Sequence, residues 1–281
     1  MILSFTLLKI LSGTILVGLI SSIVGCFLLL QKKSLLGDTL AHATLPGIAC
    51  TFLITLKQNI VHLLIGATIS SLISSSLIEY VSQKTKLKRD AILGVTLSFM
   101  FGLGIMILSI IQKHPVAQQA GINTFLLGNA STLLLKDVYI IIALSIIVCA
   151  IITFFWKEFL IVTFDEQHAQ SLQLPVKQIK AIFTVVTVLT ILIGLQTVGI
   201  ILMSALLIAP AAAAQQWTKN IKAMMILSAC FSVTATVTGT IISFTVPQTP
   251  TGPVIVILIT IIAFSSILYK TYTDRRKRKV V

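Results

Sequence analysis

Charge is what this chain has least of. Only 10% of its 281 residues are Asp, Glu, Lys or Arg, against about 25% in soluble globular domains, and just 8 of them are acidic. With 56% apolar side chains and a mean hydropathy of +1.04, the sequence excludes an ordinary soluble domain. It equally excludes a disordered chain, which is poor in apolar residues. Glycine follows no three-residue period and cysteine is sparse, which removes collagen-like and disulfide-dense scaffolds. The four cysteines, Cys26, Cys50, Cys149 and Cys230, stand in apolar runs without C-x-x-C spacing. They are expected as small buried side chains rather than as zinc or redox ligands. No G-x-x-x-x-G-K-[ST], H-E-x-x-H or G-x-S-x-G occurs, so the chain offers no P-loop for nucleotide and no familiar protease or serine hydrolase motif.

What the sequence does have is long apolar runs. A transmembrane helix needs about 20 mostly apolar residues, and nine runs qualify, at roughly 7–30, 35–56, 61–81, 91–111, 137–155, 179–196, 197–215, 222–244 and 253–269. The expected fold is all-α: a polytopic transmembrane bundle of about nine spans, forming one domain over 1–281. No small-residue cleavage site follows Leu28-Leu29-Leu30, so the first run is expected to stay in the protein. Placing Lys32 and Lys33 in the cytoplasm puts 17 of the 21 Lys and Arg there and leaves Lys9, Lys57, Lys113 and Lys136 outside. Retention of basic residues on the cytoplasmic side then sets the N-terminus outside and the C-terminus inside. Because the net charge of +13 is spread over five short loops, nucleic acid is not an expected partner. Trp156 and Trp217 fall at cytoplasmic ends, where amphipathic rings favour the interface. An eight-span arrangement stays open if the first run lies partly in the interface. The turn at 196–199 must be very tight, and the outer segment 112–136 reads as an interfacial or re-entrant piece.

An ionisable group deep in a span costs about 2.5 to 3.5 kcal/mol on insertion scales, so it is a functional hypothesis by default. Asp38 and His42 qualify. From Lys33 at the interface, a rise of about 1.5 Å per residue puts Asp38 roughly 8 Å into the layer and His42 near its middle. Four residues apart, they share a helix face. A carboxylate beside an imidazole suits manganese, zinc or iron as divalent ions. The structural alternative is an Asp–His hydrogen bond that merely pins two helices. Pro46 cannot donate to the carbonyl of His42 and leaves that oxygen available. Glu79 and Asp137 are expected on solvated faces, and His62 and His114 are lone histidines near outer ends. On the cytoplasmic side, Thr163 and Glu166 have capping-box spacing and Pro175 ends the helix two turns later. Phe164, His168 and Leu172 recur at four-residue steps, so this short helix is either a knob for a soluble partner or a plain interfacial linker.

The run Lys32-Lys33-Ser34-Leu35-Leu36-Gly37-Asp38, continued by Ala41-His42-Ala43-Thr44-Leu45-Pro46-Gly47, resembles the second-span signature of the membrane permeases of bacterial ABC importers for zinc, manganese and iron. The stretches 87–94, 125–130, 164–176, 195–199 and 205–212 match in the same order, so the resemblance runs from about residue 10 to 265. It implies a permease subunit of an ATP-driven importer in the cytoplasmic (inner) membrane of a bacterium, with no catalytic residues and no permanently bound cofactor. The transported ion would be Mn2+, Zn2+ or Fe2+. The implied partners are a second permease copy or close paralogue, ATP-binding subunits on the cytoplasmic side, an extracytoplasmic metal-binding protein, and membrane lipid. It further implies that Asp38 and His42 line the ion route. The cytoplasmic segment at about 157–178 would contact the ATPase through Phe164, Asp165, Glu166, His168, Ala169, Leu172 and Pro175. One departure is visible: the family often has Gly-Leu-Pro where this chain has Gln173-Leu174-Pro175, and glycine would favour a left-handed helix cap. A stand-alone secondary carrier or channel is the alternative. A membrane enzyme using Asp38 and His42 as acid and base has no nucleophile or orienting third group to work with.

Overall fold

A computed structural model of the chain describes residues 2–55, 60–111, 135–195, 197–246 and 249–278. Among these residues there are eleven helices and no strand. In chain order they are α1 (Ile2–Leu30), α2 (Ser34–Thr55), α3 (Ile60–Lys84), α4 (Arg89–Ile111), α5 (Leu135–Phe154), α6 (Trp156–Phe164), α7 (Glu166–Ser171), α8 (Val176–Leu195), α9 (Ile200–Gln215), α10 (Ile221–Thr245) and α11 (Thr251–Arg278). Each of the nine apolar runs coincides with a helix, and seven helices are long and apolar enough to cross a membrane. The exceptions are α2, where Asp38, His42, Pro46 and two glycines dilute the apolar content, and α9, which has only 16 residues. Of the stretch 112–136 expected to hold a re-entrant piece, residues 112–134, with Lys113 and His114, lie outside the described residues, as do Lys57 and Gln196.

Helix α1 is the axis. It packs against α5, α8, α9 and α10, and 67% of its span is buried, against 28% for the span of α3. Its sequence is correspondingly apolar all round, as a helix without a solvent face must be. Small polar residues join it to α10: Thr14 and Thr240 hydroxyls lie 3.2 Å apart, and Ser232 donates to the carbonyl of Gly18 at 2.8 Å. A left-handed Lys32 (φ 55) ends α1, with Lys33 N–H donating to the Leu28 carbonyl and Lys32 N–H to that of Leu29. That pair of bonds is a Schellman cap, and it turns the chain into α2 within three residues. The tight turn between α8 and α9 uses Gly199 at φ 86 and ψ 169, a conformation open in practice only to glycine.

Helix α2 is wedged between α3 and α4. A Cβ on Gly47 would overlap the carbonyl of Gly66, and one on Gly66 would overlap Thr51 Oγ1. On the other side, a Cβ on Gly104 would lie 2.6 Å from Leu45 Cβ. Both neighbouring helices therefore carry a glycine where the Leu45–Gly47 segment passes, which allows backbones to approach as small residues do in membrane interfaces.

Two expectations about burial are corrected. Only Cys26 is buried, whereas Cys50, Cys149 and Cys230 are exposed, because in a bundle of spans an apolar run has outward positions as well as inward ones. Asp137 is not on a solvated face: it is 6% exposed, since α5 lies along α1 and α8 and its first turn directs that face inward.

Candidate functional site

Helix α2 is buried on most of its surface and opens along one stripe, through Leu35, Asp38, His42, Cys50 and Leu53. The i, i+4 spacing puts Asp38 and His42 together on it, with Nε2 of His42 3.5 Å from Oδ1 of Asp38. Their side chains are 29% and 14% exposed, so the pair sits in a shallow recess. The ring of Phe101 from α4 meets the imidazole edge to face at 5.0 Å. The second imidazole nitrogen, Nδ1, is buried without a hydrogen-bond partner, a state that costs free energy unless something outside the chain engages it. Because both residues belong to one helix, their contact does not pin two helices. Among the described residues no third His, Cys, Asp or Glu joins them, so a single chain supplies two ligands. Pro46 stands inside α2 without ending it. His62 is exposed, and Glu79 carries an ion pair with Arg89 at 3.7 Å.

The segment at about 157–178 is built differently from its sequence pattern. Thr163 does not cap a helix running through Phe164; its hydroxyl accepts from Gln31 Nε2 at 3.1 Å. The cap is Asp165, extended at φ −147 and ψ 97, whose Oδ1 accepts from His168 N–H at 2.8 Å. The break between α6 and α7 falls at Asp165, so the first unsatisfied N–H groups begin there. Glu166 is thereby released from capping and pairs with Lys180 of α8 at 2.5 Å. Phe164, His168 and Leu172 are exposed while Ala169 is fully buried, so α7 seats on one small residue and presents the rest. Its end is another Schellman cap, with Leu174 N–H on the Ala169 carbonyl at 3.1 Å and Gln173 N–H on that of Gln170 at 2.9 Å. Gln173 takes the left-handed position at φ 57, and Pro175 immediately precedes α8, its carbonyl accepting from Ile179 N–H at 3.0 Å. A non-glycine residue there carries a strain of about 1 kcal/mol or slightly more. Gln173→Gly should therefore raise the thermal midpoint and leave the assembled function intact; a lowered midpoint would contradict this account of the cap.

Sequence reasoning missed the anchor behind this segment. Phe159, the only buried residue of α6, packs edge to face on Phe27 of α1 at 6.1 Å and on Phe183 of α8 at 5.4 Å, and Phe27 meets Phe183 at 5.9 Å. Such pairs add about 0.5 to 1.5 kcal/mol each beyond area burial. None of the three aromatics lies within a recognisable motif, and only their convergence in space identifies them.

With this geometry in view, the chain can be compared with known proteins. The model of the ABC 3 transport family matches residues 4–270. The zinc transport system membrane protein TroC of Treponema pallidum (strain Nichols) is 40% identical over 264 residues, which covers 94% of this chain and 89% of that protein. The manganese transport system membrane protein MntC of Bacillus subtilis (strain 168) is 36% identical, covering 92% of this chain and 60% of its own longer sequence. Among solved structures, PsaBC from Streptococcus pneumoniae in complex with Fab superposes with a TM-score of 0.80 at 32% identity, over 93% of this chain and 90% of that one.

Proposed function

The chain belongs to the ABC 3 transport family, as a multi-pass membrane permease subunit whose ATPase is a separate chain, and we propose that it imports a divalent transition-metal ion along a route lined by Asp38 and His42. Zinc, manganese and iron all fit a mixed carboxylate and imidazole site. The observation that carries the reading is the Asp38–His42 pair itself, half-buried on the open stripe of α2 with an unpartnered Nδ1.

That stripe would be a liability facing lipid, where a carboxylate costs about 2.5 to 3.5 kcal/mol. A second permease copy or close paralogue covering it removes that cost and raises the ligand count from two to four. An extracytoplasmic metal-binding protein delivers the ion, and ATP-binding subunits dock on the opposite side, in the cytoplasmic (inner) membrane of a bacterium. All nine apolar helices then span, with the N-terminus outside and the C-terminus inside. Two contacts support this alternation: Lys33, Arg89, Lys177 and Lys180, from three separate turns, line one cavity, and Trp217 at the end of α9 stacks on Tyr269 of α11 at 5.3 Å.

The domain is one permease unit with a coupling segment at about 157–178. In it, α7 offers Phe164, His168 and Leu172 to the ATPase, while Asp165, Glu166, Ala169 and Pro175 hold its shape. A push on α7 passes through Phe159 to α1 and α8. The three-residue turn after α1 hands it on to α2 and its ligand pair. Metal flux into proteoliposomes tests the class: the permease alone should conduct nothing measurable, and flux should start when the ATP-binding subunit and ATP are supplied. Steady flux through the permease alone would instead establish a carrier or channel.

A further inference from the structure

A second polar assembly lies apart from the ion route. At the basic end of the bundle a cavity of ≈ 690 Å³ opens between the α1–α2 turn, α3, α4, α7 and α8. Four cations line it, Lys33, Arg89, Lys177 and Lys180, against two acids, Glu79 and Glu166. Both acids are already engaged, Glu79 by Arg89 and Gln83 and Glu166 by Lys180. Lys33 joins no ion pair among the described residues, and Nε of Arg89 is buried without an acceptor. The wall behind these groups is apolar, with Leu72, Ala181 and Val185. It continues onto the outward stripe of α3 at Ile69, Ile73 and Leu77, which are 55%, 59% and 41% exposed.

From this arrangement we propose that the cavity binds a phosphate-bearing anion through Lys33 and Arg89. Four cations against two acids leave a net excess of two positive charges, which excludes a transported cation from this space and calls for an acceptor with several oxygens, as phosphate supplies. An anionic phospholipid fits both halves of the cavity, its headgroup on the cations and its chains along α3, and basic pockets between spans are known to take such headgroups. Free inorganic phosphate would satisfy the polar half alone. The surroundings are costly to the Lys33 charge: burial, then repulsion from Arg89 and Lys180, pushes its ammonium down to about 8. Any bound anion would restore the charge. The charged groups facing Lys33 are Arg89, Lys177, Lys180, Glu79 and Glu166.

The test uses the full-length protein purified from membranes. Retention of phosphatidylglycerol relative to phosphatidylcholine is measured by native mass spectrometry, and protection by inorganic phosphate is measured by thermal unfolding. Lys33→Gln should lower phosphatidylglycerol retention about fivefold, whereas Lys33→Arg and the distant Lys136→Gln should retain it. Wild-type retention should also fall as pH rises above about 8. A lipid preference that depends on Lys33 identifies the headgroup. Protection by phosphate that depends on Lys33, without any lipid preference, identifies the free anion. Equal retention and equal protection in wild type and Lys33→Gln, or retention flat with pH, overturns the assignment.

Discussion

Vesicles carrying Asp38→Ala or His42→Ala, assembled with their ATP-binding subunits, take up radioactive manganese or zinc at least about 10- to 100-fold more slowly than wild type. This is the loss expected even for residues that only support a metal ligand. The two substitutions should not be additive, because a site already short of donors is lost when either goes. His42→Ala leaves a carboxylate that a hard ion can still use, and Asp38→Ala leaves a lone imidazole, so manganese uptake should survive better in the former than zinc uptake does. ATPase activity and the thermal midpoint should stay near wild type in both variants, since the pair contacts no other helix through its charges. Wild-type uptake should weaken as pH falls, because an imidazole that has taken a proton can no longer ligate. Unchanged uptake in both alanine variants would falsify the route.

The second large effect is structural. Gly66→Val should lower stability by about 3 kcal/mol or more, at the upper end of overpacking costs. The new side chain must displace Thr51 Oγ1 and the backbone carbonyl of Gly47, which lies 2.6 Å from the Cβ position. A flexible side chain could move aside, but a helix carbonyl moves only with its helix. Thr51→Ala in the same background should therefore recover only part of the loss. Gly104→Val should act similarly from the α4 side, pressing on Leu45 and Pro46. Because both glycines grip α2 one turn beyond His42, any variant that folds should also show reduced uptake through a displaced ligand pair. Thermal unfolding in detergent reads the first effect, and a wild-type midpoint in Gly66→Val would show that α2 and α3 separate without cost.

Much of this protein is written locally. Every backbone N–H and C=O inside a membrane must be satisfied within its own helix, so runs of apolar residues sufficed to locate nine helices. The placement of Asp38 beside His42 needed only the helical period. The segment around 164–175 was legible as a short capped helix ending before Pro175, yet its cap was assigned to Thr163 when the chain breaks at Asp165. Gln173 shows the converse case. The sequence offered an unsuitable residue for a left-handed cap, and the hydrogen bonds of two neighbouring turns hold it there regardless.

What no window of sequence contains is the identity of the surface on the other side of a contact. The burial of Asp137, the outward turn of three cysteines, the Phe27–Phe159–Phe183 junction and the gathering of Lys33 with Arg89 and Lys180 all depend on which helices are neighbours. So does the pairing of Gly47 with Gly66, since a glycine in a span looks the same whether it faces lipid or a backbone oxygen. Helix formation in a membrane is fixed by hydrogen bonds four residues apart, whereas helix packing is fixed by shape over tens to hundreds of residues of separation, and only the second required the folded chain.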